Sequence, residues 1–513
     1  MTRSISILLG AVPLWLAGGA LAQTSPDAAA LRDGLNEMLK PILAIQVQQQ
    51  PLFTGPVKVE SGWDGATVVF PGIDLTLKGS EKDAKSVALR CDAQTYRAAS
   101  TGAATWRLES SQPLNCVAEP EGEAKVTLTS RALQAHFVVD LGQKLFTEGE
   151  WRADATTIAQ DGRPGKVTIN TLSGTSQLRP AADPTRHDAI FKMVLSGLSA
   201  FDEKGVERFS LGHSDYDMTA DGMDVREIIA AYGDYFDAYA VMMEGMVAGL
   251  ADPKADPKAA GQIPADVMKK MMDVTKRIAM ASGDGGKFAG TITDLRIKAP
   301  DVQVTIDRVR FAEGYDGAFT PNGSGMMEVE MGGLALAPKP PFAEWIPTDA
   351  TIRMNASGIP WAEVGTAYLA VMEASADQAA DPAKAQQQMA QAMMEIGGIL
   401  RRAGSRLDVT SFHFGAPEAA IDLGGSVQGK DAAAHGVTAD LDLRITNLDG
   451  LIKFLQGMPD GAEAAAGLSM AQVMGRQATT ADGRPARDYD IVVDDAGKIL
   501  VNGTDLAAMM PKQ

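Results

Sequence analysis

The sequence is poor in the residues that carry most enzyme chemistry. Its 513 residues include two cysteines and five histidines, and aromatic side chains make up 6 %. The histidines are His136, His187, His213, His413 and His435, and none stand at HExxH or HxH spacing. No local zinc motif is therefore encoded, and a zinc site assembled by the fold is left as a minor alternative. No GxSxG turn presents a serine nucleophile. Positive charge is also short: 47 Lys and Arg against 65 Asp and Glu give a net charge of −18. Such a chain repels phosphate backbones and anionic lipid surfaces, which argues against nucleic-acid binding. Beyond the N-terminus no apolar run approaches the ~20 residues that cross a bilayer, so a soluble, non-spanning chain is expected. Hydrophobic residues at 45 % and charged residues at 22 % fit a folded chain rather than a disordered one.

Residues 1–22, MTRSISILLGAVPLWLAGGALA, have the layout of a secretory signal peptide. Arg3 supplies the positive start, Ile7 to Trp15 is apolar but short, and Ala20-Leu21-Ala22 is a small-x-small site. Cleavage is expected after Ala22, with the mature chain in the periplasm. No cysteine follows the apolar stretch, so a lipoprotein anchor is excluded. In an oxidising compartment an even cysteine count suggests a disulfide between Cys91 and Cys116. It would close a loop of about 25 residues, worth ~3 kcal/mol in the chain-entropy account. A redox-active pair is more often CxxC, so the structural reading is preferred.

Hydrophobic periodicity divides the mature chain. Leu31, Leu35, Met38, Leu39 and Ile42 step by three and four, as in an amphipathic helix. From about residue 52 to 180 short alternating runs such as Ile73-x-Leu75-x-Leu77 and Phe137-x-Val139 point to antiparallel strands. Three later places join a strand, a tight turn and a helical stretch: from Asp215, Thr351 and Asp442. Asp224 with Glu227 has capping-box spacing, Pro360 suits a first helical turn, and Asp449 can cap the third helix. Ile228, Tyr232, Tyr235, Tyr239, Met242, Met246 and Leu250 line one helix, and Val267, Met271, Val274 and Ile278 line the next, across an ADPKADPKAAGQI break. The pattern repeats with Val364, Tyr368 and Met372, then Met389, Met393, Ile396 and Leu400. TDLRIKAPDVQVTI and TSFHFGAPEAAIDL also match, which suggests a duplicated module with a length change between its landmarks. The chain ends in a hairpin, DYDIVVDDAGKILVNG.

The expected fold is α+β, an extended antiparallel β-sheet with αα-hairpins packed on one face and an internally duplicated module. The expected divisions are the signal peptide (1–22), a helix plus β-rich region (23–190), a first hairpin module (191–350) and a second module with a shorter third copy (351–513). With the signal, these modules, the ADP-rich breaks and the DYDIVVDDAGKILVNGTDL ending, the chain resembles a family of secreted alphaproteobacterial proteins. That family is classed as a domain of unknown function, number twenty-one twenty-five in its series. More distantly the chain is similar to AsmA-like and YdgA-like envelope proteins. The resemblance implies a periplasmic protein, and lipid or envelope work; it carries over no functional residues.

Recognisable chemical motifs are few. GGSVQGKD from Gly424 ends in Asp431 where a phosphate-binding loop needs a hydroxyl. DMTADG from Asp217 starts like a calcium loop, but its twelfth position is Ile228 rather than a bidentate Glu. Methionine is the excess, at 25. Its thioethers could bind Cu(I), fill a core, or line an adaptable apolar face. Because they follow the apolar helix faces, a candidate apolar-ligand face is drawn through Tyr235, Tyr239, Met242, Met246, Met271, Met372, Met389 and Met393. The leading function is a non-enzymatic periplasmic protein without cofactor or metal, its partner an apolar, lipid-like small molecule or an envelope protein. The rival is a periplasmic hydrolase with unidentified acidic residues, which two convergent, pKa-shifted carboxylates in a pocket would favour.

Overall fold

The structure is a computed structural model that describes residues 28–47, 50–62, 65–77, 86–231, 234, 265–376, 382–458 and 461–509. The expected signal peptide and cleavage site lie outside the described residues, as do Tyr235, Tyr239, Met242 and Met246. The chain forms two compact units, Met1–Gly283 and Asp284–Gln513. Residue 190, the expected end of the β-rich region, lies inside the strand His187–Phe201, and the division falls within the stretch 191–350.

In the first unit a small ribbon pairs β1 (Gln46–Val47) with β2 (Gln50–Pro51). Five short strands follow: β3 (Lys58–Gly62), β4 (Gly65–Phe70), β5 (Ile73–Leu77), β6 (Val87–Cys91) and β7 (Gln94–Ser100). Six long ones complete the unit: β8 (Thr105–Pro120), β9 (Val126–Asp140), β10 (Leu145–Gln160), β11 (Lys166–Pro180), β12 (His187–Phe201) and β13 (Glu207–Met223). Each long strand pairs antiparallel with the next. β8 is long enough to take β7 along its first half and β6 along its second. At the second junction Cys91 and Cys116 stand opposite each other and are disulfide-bonded across a 25-residue separation, as expected.

The strands are longer than the short runs of the sequence suggest, and a crease across the sheet is the reason. β9 buries Val126, Leu128 and Ser130, then Leu133, Ala135, Phe137 and Val139, so its buried positions switch from even to odd. β10 switches between Ala153 and Thr156, across Ala155 at φ 50°. The ladder steps over Ala155 and Asn170 between β10 and β11, and over Gly197 (φ 65°) and Gly212 between β12 and β13. An extra residue moved out of the ladder returns the side chains beyond it to the same face. One face thus stays apolar over the whole strand while the alternation in the sequence breaks.

That face is covered by the chain that precedes it. The helix α1 (Ala28–Met38), followed by α2 (Lys40–Leu43), buries Leu31 and Leu35 completely. They pack with Val68, Tyr96, Trp106, Leu108 and Phe137, while Ile45, Leu52 and Phe53 close over Ile73, Leu89, Cys116 and Leu128. Asn36 ties the helix down as a strand residue would: its Nδ2 donates to Val57 O and its Oδ1 accepts from Val57 N, both at 2.9 Å. After β13, Asp224 Oδ1 accepts from Glu227 N at 3.0 Å, the expected cap. Val225, Ile228 and Ile229 then pack on Leu145, Ala189 and Ala220. The helix α3 (Ala265–Ala281) buries Val267 and Val274, with Met271 half-buried between them.

The second unit is again an antiparallel sheet with inserted helices. Its strands are β14 (Gly285–Lys298), β15 (Gln303–Asp316), β16 (Gly323–Gly332), β17 (Ala335–Ala337), β18 (Asp349–Ile359), β19 (Arg406–Gly415), β20 (Ala420–Gly429), β21 (Val437–Thr446), β22 (Arg476–Thr479), β23 (Pro485–Val493), β24 (Ile499–Val501) and β25 (Thr504–Asp505). Neighbours run β14, β15, β16, β18, β19, β20, β21, β23. The helices α4 (Trp361–Ala376) and α5 (Pro382–Ala403) separate β18 from β19 and pack on each other. The helices α6 (Leu448–Gln456) and α7 (Ala462–Met474) separate β21 from β22. Asn447, in the left-handed region at φ 54°, is the residue before α6; Asp449 sits in the first turn rather than capping it. An α+β chain built on a large antiparallel sheet is therefore correct. GGSVQGKD opens inside β20 and DMTADG inside β13, as ladder residues rather than as ligand loops.

Candidate functional site: an apolar sheet face in the second unit

Strand alternation gives this sheet two chemically different faces. One register row reads Phe311, Val329, Ile352, Phe412, Leu423, Leu443 and Tyr489 from β15 to β23. The row beside it reads Met331, Ala350, Phe414, Ile421 and Ile445. Aromatic pairs reinforce the face: the Phe412 and Phe414 rings are 5.0 Å apart and those of Phe288 and Phe311 5.4 Å. Met327, Leu407 and Ile421 remain 37 %, 38 % and 36 % exposed, and Phe311, Val329, Ile352, Phe412 and Leu423 are half-buried.

Three helices cover the ends of this face. At one end Trp361, which opens α4, lies against Gly323, where a Cβ would collide with the indole, and close to Gly325, and its Nε1 donates to Ser324 O at 3.0 Å. At the other, α6 and α7 bring Leu448, Ile452 and Ala465 onto Ile445, Tyr489 and Val501. Tyr489 OH donates to Ala471 O at 3.0 Å.

The opposite face is a charge ladder. Its row reads Arg310, Glu330, Thr351, His413, Asp422, Arg444 and Asp488, with Arg476 beyond. Arg444 binds Asp488 through two parallel hydrogen bonds of 2.7 and 2.9 Å and holds that carboxyl below the usual range. Arg353 bridges Glu328 and Glu330. His413 sits between Asp422, 2.7 Å from Nδ1, and Asp349, 2.8 Å from Nε2. Burial works to lower its pKa, but the two carboxylates outweigh burial and raise it. A depression of about 550 Å³ is lined by Phe412, Asp422, Leu423, Arg444, Arg476 and Asp488.

Of the residues singled out from the sequence, Met271 is half-buried in the first unit and Met389 half-buried on α5. The buried stripe of α5 runs through Met389, Ala392, Ile396 and Ile399, while Met393 is 56 % exposed on its flank. The side chain of Met372 lies outside the described residues. Sequence reasoning missed Ile352, Phe412, Phe414 and Leu423. Their signal is present in TIRM, TSFHFG and AAIDL, whose alternation marks strands but does not say which face stays open. Among the described residues no group of three or more His, Cys, Asp or Glu could hold a metal, and no helix is long and apolar enough to cross a membrane. Each described Asp or Glu with a resolved shift is held down by cationic, hydroxyl or backbone partners, as Asp154 is by Arg152 and Asp408 by Arg406. No family model, curated protein or solved structure matches the chain.

Proposed function

We propose that this chain is an exported, non-enzymatic binding protein that holds an apolar, lipid-like ligand along the open part of the β15–β20 face. The observation that carries the reading is the exposure of that face. Among the described residues its Phe, Ile and Leu side chains are no more than half-buried at Phe311, Ile352, Phe412 and Leu423, and Met327 and Ile421 are more than a third exposed. Fully covering such a side chain is worth ~1.5–3 kcal/mol, so several half-covered ones leave a substantial driving force for a chain-like apolar molecule. Methionines 327, 331 and 354 add side chains that adapt to an irregular ligand. Export is supported by the layout of residues 1–22 and by a disulfide, which persists in oxidising compartments. The resemblance to a family of secreted proteins of unknown function points the same way. Duplication is supported by the matched turns before the two helical insertions, at Gly222 (φ 69°) and Gly358 (φ 65°).

A second reading, docking of an envelope protein, draws on Tyr368, Met393 and Met394, which are 55 %, 56 % and 72 % exposed on α4 and α5. One titration separates the two. The mature protein is mixed with an environment-sensitive acyl probe, alongside Phe412→Glu and Met393→Glu variants checked for folding. Loss of binding with Phe412→Glu alone is expected. An unresponsive wild type, or loss only with Met393→Glu, would remove the sheet-face reading.

A further inference from the structure

A carboxylate stands on the open part of the apolar face. Phe311, Glu313 and Tyr315 alternate along β15 on that side. Phe288 of β14 is opposite Glu313 across one ladder, and Met327 of β16 across the other. Glu313 is exposed, and among the described residues no cation pairs with it. The carboxylates of the opposite face are engaged: Glu328 and Glu330 by Arg353, Asp422 by His413 and Asp488 by Arg444. What surrounds Glu313 is aromatic. The Phe288 and Phe311 rings lie 5.4 Å apart beside it. Tyr315, two residues on, is opposite Gly325, and the Trp361 indole reaches over that glycine: a Cβ there would fall 3.1 Å from its six-membered ring. Aromatic side chains are 6 % of the chain, so four around one acid are a local concentration. Ring faces attract cations, and carboxylate-bearing aromatic clusters suit quaternary ammonium groups, which have no N–H to donate. A ligand covering Glu313 without a positive charge would strip water from the carboxylate and leave it unpaired.

We propose that Glu313 and the rings around it hold the quaternary ammonium head of an amphiphile whose chain lies over Val329, Ile352 and Phe412. The inference rests on the apolar-face reading and specifies its ligand. Val329, Ile352 and Phe412 share the register row of Phe311, so head site and chain path are continuous. All three are half-buried, and Met327 beside them is 37 % exposed. Three inter-strand steps separate Phe311 from Phe412, about 14 Å in all, a span that an alkyl chain covers. The net charge of −18 favours the approach of a cation over that of an anion.

Calorimetric titration of the full mature chain tests this with decyltrimethylammonium, decylammonium, decanol and choline. The wild type should bind decyltrimethylammonium at least tenfold more tightly than decanol. Glu313→Gln should erase that preference and leave decanol binding unchanged, and Glu313→Asp should keep part of it. Tyr315→Leu, which removes a ring but keeps an apolar side chain, should weaken decyltrimethylammonium at least threefold with decanol unchanged. Equal binding of decyltrimethylammonium and decanol overturns the head-group site and leaves the apolar face standing. A preference that survives Glu313→Gln does the same, since it would come from the acidity of the whole chain. Decylammonium bound as tightly as decyltrimethylammonium overturns the aromatic site, and choline bound as tightly makes it a free-cation site instead. If no decyl compound binds, the apolar-face reading itself fails.

Discussion

Strands β8–β10 of the first unit and β18–β20 of the second follow the same rule and end in different states. In the first, Leu108, Leu128, Leu133, Val139 and Ile158 are at most 2 % exposed. In the second, Ile352, Phe412 and Leu423 are half-buried and Ile421 is 36 % exposed. The strands do not differ in alternation; they differ in what crosses them. Residues 28–47 and 50–53 lie over the first set, whereas the described helices of the second unit cover its face only at the ends. A period of two specifies that a sheet has an apolar side, and it carries no information about the layer above.

The largest expected contrast is in core truncation. Leu35→Ala removes a fully buried side chain from the covering helix and should cost ~2–5 kcal/mol. Leu423→Ala, on the open face, should cost less than ~1.5 kcal/mol because water already reaches it. Equal shifts of the urea midpoint would mean that the second face is covered in solution. Next comes the bridge between β6 and β8. Its two thiols should resist maleimide until reduced, and the Cys91→Ala, Cys116→Ala double variant should lose ~3 kcal/mol by denaturant titration. Ready labelling of the native protein would refute the bond.

A surface change should separate stability from binding. Ile421→Lys adds a charge at a position already 36 % exposed and should alter stability by less than ~1 kcal/mol while abolishing acyl-probe binding. The same change at Leu128, which is 2 % exposed, should unfold the first unit, as circular dichroism would report. The smallest effect concerns His413. Its folded pKa is raised, so its contribution is present in full below the unfolded value of about 6.5 and fades as pH rises through the folded value. The imidazole is 32 % exposed and its partners about half, so the effect should stay below ~1 kcal/mol. His413→Gln should flatten the difference between urea midpoints at pH 5 and pH 9; an unchanged difference would assign it to other groups.

Much of the architecture was legible in the residues. The helix through Leu31, Leu35 and Met38, the disulfide, the cap at Asp224 and the closing hairpin of β23 and β24 each depend on contacts within a short stretch or on a pair of like residues. The long strands were not legible, because the crease at Ala155, Asn170 and Gly197 changes the parity of the pattern midway and leaves what look like separate short runs. Asp449 lies inside the first turn and not at the cap because Asn447, two residues earlier, takes the left-handed turn.

The sequence by itself determined the acidic balance, the scarcity of catalytic side chains, the antiparallel alternation and the helical insertions, since composition and local periodicity act over a few residues. Only the tertiary structure decided which apolar residues share a face. Phe412, Leu423 and Leu443 are separated by loops in the chain and become neighbours through register alone. It also decided that residues 28–47 and 50–53 cover one sheet while Ile421 and Met327 stay open on another. Burial and charge pairing are properties of what lies across space, and a linear pattern does not contain the second surface.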